Sequence, residues 1–91
     1  MEIETNGNEL IVNGESVLLR YQLMSIFNQL KDASPKVITD NELMASHSIM
    51  SRHTLNQNIS MLRKSLSQFD SIKVVTHSKI GYALKITNED K

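Results

Sequence analysis

Apolar positions change their spacing three times along the chain, and each spacing predicts a different element. Leu10-Ile11-Val12 and Val17-Leu18-Leu19 flank Asn13-Gly14, and Asn6-Gly7 lies just before them. Both Asn-Gly pairs are type I′ hairpin signals, because that turn needs positive φ at both central residues. Residues 2–19 are therefore predicted to form two or three short antiparallel strands. From 20 to 33 the spacing becomes helical: Leu23, Met24, Phe27 and Leu30 form one stripe. Ser34-Pro35 ends that helix, since a residue before proline disfavours helical backbone. Val37-Ile38 reads as a short apolar link. Thr39-Asp40-Asn41-Glu42 then has the form of a capping box and opens a short helix over 39–47, with Leu43 and Met44 turned inward.

The third helix, over 51–69, is the most sharply patterned. Ser51 is the predicted N-cap. Leu55, Ile59, Leu62, Leu66 and Phe69 recur at alternating steps of four and three, which places them within about 80° of arc. The opposite side carries His53, Gln57, Ser60, Met61 and Lys64, with Asn56 and Arg63 on its flank. Beyond Asp70-Ser71 the period falls to two. Ile72, Val74 and Thr76, then Tyr82, Leu84 and Ile86, alternate with other residues around the turn His77-Ser78-Lys79. That is a hairpin over 72–87 with a basic tip. The polar tail Asn88 to Lys91 is expected to fray.

The predicted order is a small antiparallel sheet, three helices and a C-terminal hairpin within one α+β domain, 1–91. This is the order of a winged helix-turn-helix, in which one helix enters the major groove of DNA and the hairpin wing reaches the adjacent backbone or minor groove.

Composition narrows the alternatives. Of 91 residues, 40% are apolar and 22% charged, enough for a core and unlike a disordered chain. No apolar run approaches the roughly 20 residues of a membrane span, and Met1-Glu2-Ile3-Glu4 does not open like a secretory signal. Cysteine is absent, so disulfides and thiolate metal sites are excluded, and a reducing, cytoplasmic setting is expected. The three histidines share neither a helical face nor a metal-ligand spacing. There is no phosphate loop or nucleophile elbow, and Asp32, Asp40 and Glu42 lie beside helix ends, where caps account for them. No catalytic group, metal or cofactor is expected.

The formal net charge of zero conceals a split. Between positions 43 and 88, Arg52, Arg63, Lys64, Lys73, Lys79 and Lys85 face Asp70 alone, while Glu2, Glu4, Glu9 and Glu15 crowd the start. One face of such a dipolar domain could meet a polyanion; a merely solvated charged surface is the plainer reading of the charge alone. With DNA as the polyanion, Arg52, Arg63, Lys64, Lys73 and Lys79 are the candidate phosphate contacts. His53, Thr54, Asn56, Gln57, Ser60 and Met61 are the candidate base readers. Asn56 and Gln57 suit paired bonds to adenine and Met61 suits a thymine methyl, which together lean toward an A·T-rich site. His77, Ser78 and Lys79 form the tip of the wing. Arg63 can also serve packing, and Tyr82 reads as a core residue beneath the wing.

The stretches SRHTLNQNISMLRKSL and IKVVTHSKIGYALKI resemble the end of OmpR/PhoB-type winged-helix DNA-binding domains. The family's Ile-x-x-Leu-Arg-Lys pattern is met by Ile59, Leu62, Arg63 and Lys64, and its Thr-x-x-x-x-Gly-Tyr wing by Thr76, Gly81 and Tyr82. Within the family the chain is most similar to the ToxR/CadC-like branch, through Ser51, Thr54, Leu55 and Lys79. It departs from the usual pattern at Leu23, where an acid is common, at His47, where an aromatic is common, and at Met61, where a base is common.

The resemblance implies a transcriptional regulator of bacterial type that binds double-stranded DNA. It implies RNA polymerase contact through the connection Ser46, His47, Ser48, Ile49 and Met50, in which Ile49 and Met50 are expected to be exposed. It further implies pairing on DNA as a homodimer or heterodimer, and a membrane anchor outside these residues. No receiver domain is recognised, so control by aspartate phosphorylation within this chain is not expected. The rival reading is a winged helix that docks a protein partner through the 46–50 connection instead of binding DNA.

Overall fold

The computed structural model describes residues 3–87; Met1, Glu2 and the tail 88–91 lie outside the described residues. Three strands, β1 (Ile3–Asn6), β2 (Glu9–Val12) and β3 (Glu15–Leu18), form an antiparallel sheet in chain order. Asn13 and Gly14 both have positive φ, 51° and 89°, as the type I′ turn requires. The first hairpin differs from expectation. Asn6 pairs with Glu9 across the ladder, so the loop is Gly7-Asn8, and only Gly7 has positive φ. That is the type II′ pattern, with glycine at the first central position.

Helix α1 (Tyr21–Ala33) buries Leu23, Met24, Ile26, Phe27 and Leu30. It stops at Ser34, whose hydroxyl donates to the Leu84 carbonyl of the hairpin at 2.8 Å. The link Val37-Ile38 is more structured than the sequence suggests. Ile38–Thr39 form a strand, β4, paired antiparallel with β6. Helix α2 (Asp40–Ser46) follows at once, with Thr39 Oγ1 accepting from the Glu42 amide at 3.2 Å. Only this half of the capping box forms among the described contacts; the Glu42 carboxylate is exposed, where water competes for it.

Helix α3 (Arg52–Ser65) is capped by the Ser51 hydroxyl, which accepts from the Thr54 amide at 3.1 Å. It ends four residues short of the expected 69. The Leu66 amide reaches both the Leu62 and Lys64 carbonyls, and the Ser67 hydroxyl takes the Lys64 carbonyl at 2.8 Å. The last turn therefore unwinds, yet Leu66 and Phe69 still reach the core. The chain closes with β5 (Ile72–His77) and β6 (Gly81–Ile86), giving a second sheet of order β4-β6-β5.

One apolar cluster joins the parts: Leu10 and Val12 from the first sheet, Phe27 and Leu30 from α1, Leu55, Ile59 and Leu62 from α3, and Ile72 and Leu84 from the wing. No buried polar side-chain atom among the described residues lacks a partner. No described helix is long and apolar enough to cross a membrane.

Candidate nucleic-acid interface

Helix α3 turns Leu55, Ile59 and Leu62 into the core and leaves His53, Gln57, Ser60 and Lys64 exposed on the opposite side. These four side chains make no hydrogen bond or ion pair with other described residues. His53, Asn56, Gln57, Ser60 and Met61 border one shallow hollow on this face. Asn58 borders it too, a residue not singled out from the sequence because it falls between the buried stripe and the outward side. Met61 and Lys64 also border a second hollow with Leu18 and Arg20, so the base of α1 adds an unforeseen cation beside α3. Thr54 is held by the cap: its hydroxyl is 3.0 Å from Ser51 Oγ.

The flank of α3 is tied to its neighbours. Arg63 donates through Nε to the Val74 carbonyl at 3.2 Å and through Nη2 to Thr76 Oγ1, so it fastens α3 to β5. Tyr82, 8% exposed, donates its hydroxyl to Asn56 Oδ1 at 2.7 Å. Burial, and then the Asp40 carboxylate, push this phenol up, against an opposing pull from Arg63 and Arg52; it stays a donor at ordinary pH. Arg52, itself exposed, lies 3.6 Å from the half-buried Asp40 carboxylate.

The wing divides its residues between two faces. The Val74 carbonyl and the Thr76 hydroxyl are joined to α3 by Arg63. Val75 and His77 alternate to the other face, where they border a hollow with Pro35 and Lys85. His77 is thus not gathered with the α3 residues, whereas Lys73 borders a hollow with Arg63, Leu66 and Ser67 at the end of α3, and Ser78 and Lys79 sit at the tip. The Ile80 amide bonds to the His77 carbonyl at 2.9 Å, and Lys79 has φ 64°. A lysine thus occupies the third position of a tight turn, where positive φ favours glycine.

The 46–50 connection is not the exposed apolar loop expected. Ser48 has φ 55°, and this bend carries the Ile49 amide to the Met44 carbonyl at 2.9 Å. Ile49 is buried at 7% exposure, while Met50 is 90% exposed. His47 is half-buried, with Nε2 2.6 Å from Gln29 Oε1 and its carbonyl accepting from Gln22; burial pushes its imidazole pKa down. Among the described residues no group of acids and histidines is placed to hold a metal.

Three helices with a hairpin laced to the third define a winged helix-turn-helix. No family profile matches the chain, and no curated protein does. Solved structures do. The DNA-binding domain of E. coli CadC is 30% identical, covering 88% of this chain and 80% of that one, with a TM-score of 0.75. Two folds at 23% identity are similar as well. The C-terminal domain of the lantibiotic response regulator NsrR covers 97% and 94% of the two chains at TM-score 0.76. The AdeR response-regulator domain, solved with an intercistronic region, covers 96% and 95% at 0.74. The chain belongs to the OmpR/PhoB-type winged-helix DNA-binding domains, on their ToxR/CadC-like side.

Proposed function

We propose that this chain binds double-stranded DNA as the reading module of a transcriptional regulator, with α3 in the major groove and the wing on the adjacent backbone or minor groove. The carrying observation is the outward side of α3. It is polar and basic, uncovered, and held rigidly to the wing by Arg63 and by the Tyr82–Asn56 bond. The CadC and AdeR domains, described as DNA-binding, support the same use.

Affinity then comes from phosphates. Arg52, Arg63 and Lys64 lie on α3, Lys73 borders a hollow with Arg63, and Lys79 sits at the tip of the wing. About four neutralised phosphates give a slope of log K against log salt near −4. Fluorescence anisotropy with random duplexes of about 30 base pairs, at two salt concentrations, tests this. Salt-sensitive binding that is lost in Lys64→Glu supports the reading; salt-independent binding, or none at low salt, defeats it.

RNA polymerase contact, pairing of subunits on DNA and a membrane anchor outside these residues belong to this reading as its larger setting. Docking through the 46–50 connection is weakened because Ile49 belongs to the core, which leaves Met50 as its exposed apolar side chain. Lys64→Glu and Lys79→Glu separate the two uses, since a partner held by Met50 would be indifferent to both.

A further inference from the structure

The bond between Tyr82 and Asn56 has a consequence for which base the helix can choose. Resting on the DNA-binding reading above, we infer that Tyr82 is a positioning residue for base readout. Its hydroxyl takes one lone pair of Asn56 Oδ1 and draws that oxygen back toward the wing, so Asn56 offers the groove its Nδ2 donors and selects guanine over adenine.

Asn56 lies early in α3, where recognition helices contact base edges. It is exposed and borders the same hollow as His53, Gln57 and Ser60. Its side chain therefore faces two ways: back to the wing through Oδ1, and outward through Nδ2. The direction of the amide follows from the surroundings of Tyr82. The charged groups acting on the phenol are Asp40, Arg63 and Arg52. Guanidinium groups only donate, and the Asp40 carboxylate pairs with Arg52 and takes no hydrogen bond from the phenol. The acceptor bonded to the hydroxyl is Asn56 Oδ1. Turning the amide round would set Nδ2 against the hydroxyl and leave the phenolic proton without that acceptor.

An asparagine with both ends free reads adenine, because adenine presents an acceptor at N7 beside a donor at N6. Guanine presents two acceptors, N7 and O6, and suits an amide that offers donors alone. Asn56 therefore does not make the adenine pair its residue type suggests. Gln57, with neither end of its amide engaged by a described residue, keeps that choice. Two neighbouring amides on one helix face thus read different bases, and a tyrosine on the wing makes the difference.

Selection from a random duplex library tests this with the wild-type chain, Asn56→Ala, Tyr82→Phe and Asn56→Asp. Asn56→Ala identifies the base pair by losing preference there. The wild type is expected to take guanine at that pair. Tyr82→Phe frees Oδ1, and the adenine-to-guanine ratio should rise by about fivefold or more. Asn56→Asp still accepts from Tyr82 but offers no donors, so the guanine preference should vanish in favour of cytosine, whose N4 donates. It carries the test if Tyr82→Phe fails to fold, as judged by far-UV circular dichroism. Adenine preferred by the wild type, or an unaltered ratio in a folded Tyr82→Phe, overturns the inference. Salt-sensitive binding that enriches no sequence overturns it while leaving the DNA-binding reading standing. Failure to bind any duplex removes both.

Discussion

Lys79 shows how a single residue can serve binding at the expense of the fold. Left-handed backbone disfavours any side chain with a Cβ, yet the tip of the wing places a lysine there. Lys79→Gly is expected to raise stability by up to about 1 kcal/mol while weakening DNA binding; Lys79→Ala should weaken binding without the gain. Thermal melting and anisotropy on the same samples check both. Gly81 is constrained in another way. A Cβ there would lie 2.0 Å from the Ile38 carbonyl oxygen, so the approach of β4 to β6 requires glycine. His47 carries the pH dependence. Its folded pKa lies below the unfolded value near 6.5, so the unfolded chain takes up the proton first as pH falls. Stability should therefore decline on acidification below about 6.5 and level off beneath the folded value. Melting curves across that range should lose this component in His47→Gln.

Between elements, the join of α3 to the wing matters most. Arg63→Met keeps much of the apolar stem and removes both bonds to β5. The Val74 carbonyl loses this partner, and stability should fall by roughly 1–2 kcal/mol, measurable by urea denaturation. Salt-sensitive DNA binding should weaken with it, because the wing is no longer fastened beside the helix. Elements were legible wherever one residue or one period decided them: Ser51 as a cap, the Leu55-Ile59-Leu62 stripe, Asn13-Gly14 as a turn. The rest depended on partners distant in sequence. Ile38–Thr39 is a strand only because β6 lies beside it, and two residues carry no period. The end of α3 at Ser65 is set by a serine hydroxyl two residues on. Ile49 looks like a loop residue until Ser48 turns it inward. The outward face of α3 could be read from spacing alone, whereas the commitments of Asn56 and Arg63 could not. Tyr82 reads from the sequence only as a core residue; a buried tyrosine hydroxyl needs a partner, and which one it takes is not written in the spacing.

Across the whole molecule, charge and core are organised differently. Glu4 and Glu15 are exposed on the first sheet, while the cations proposed for phosphate contact lie on α3 and the wing. The core runs unbroken from Leu10 to Leu84, so the acidic sheet is fastened to the same cluster that supports α3. At the centre of this arrangement the first residue of α2 is bonded outside its own helix: the Asp40 amide donates to the Ile80 carbonyl at 3.1 Å. Amides in the first turn of a helix have no partner within it and ordinarily exchange with solvent quickly. The Asp40 amide proton should instead exchange slowly, at a rate set by how often the wing lifts from α2. Followed residue by residue by NMR in heavy water, it is a built-in reporter of wing opening. Duplex DNA should slow it further, and Arg63→Met should quicken it.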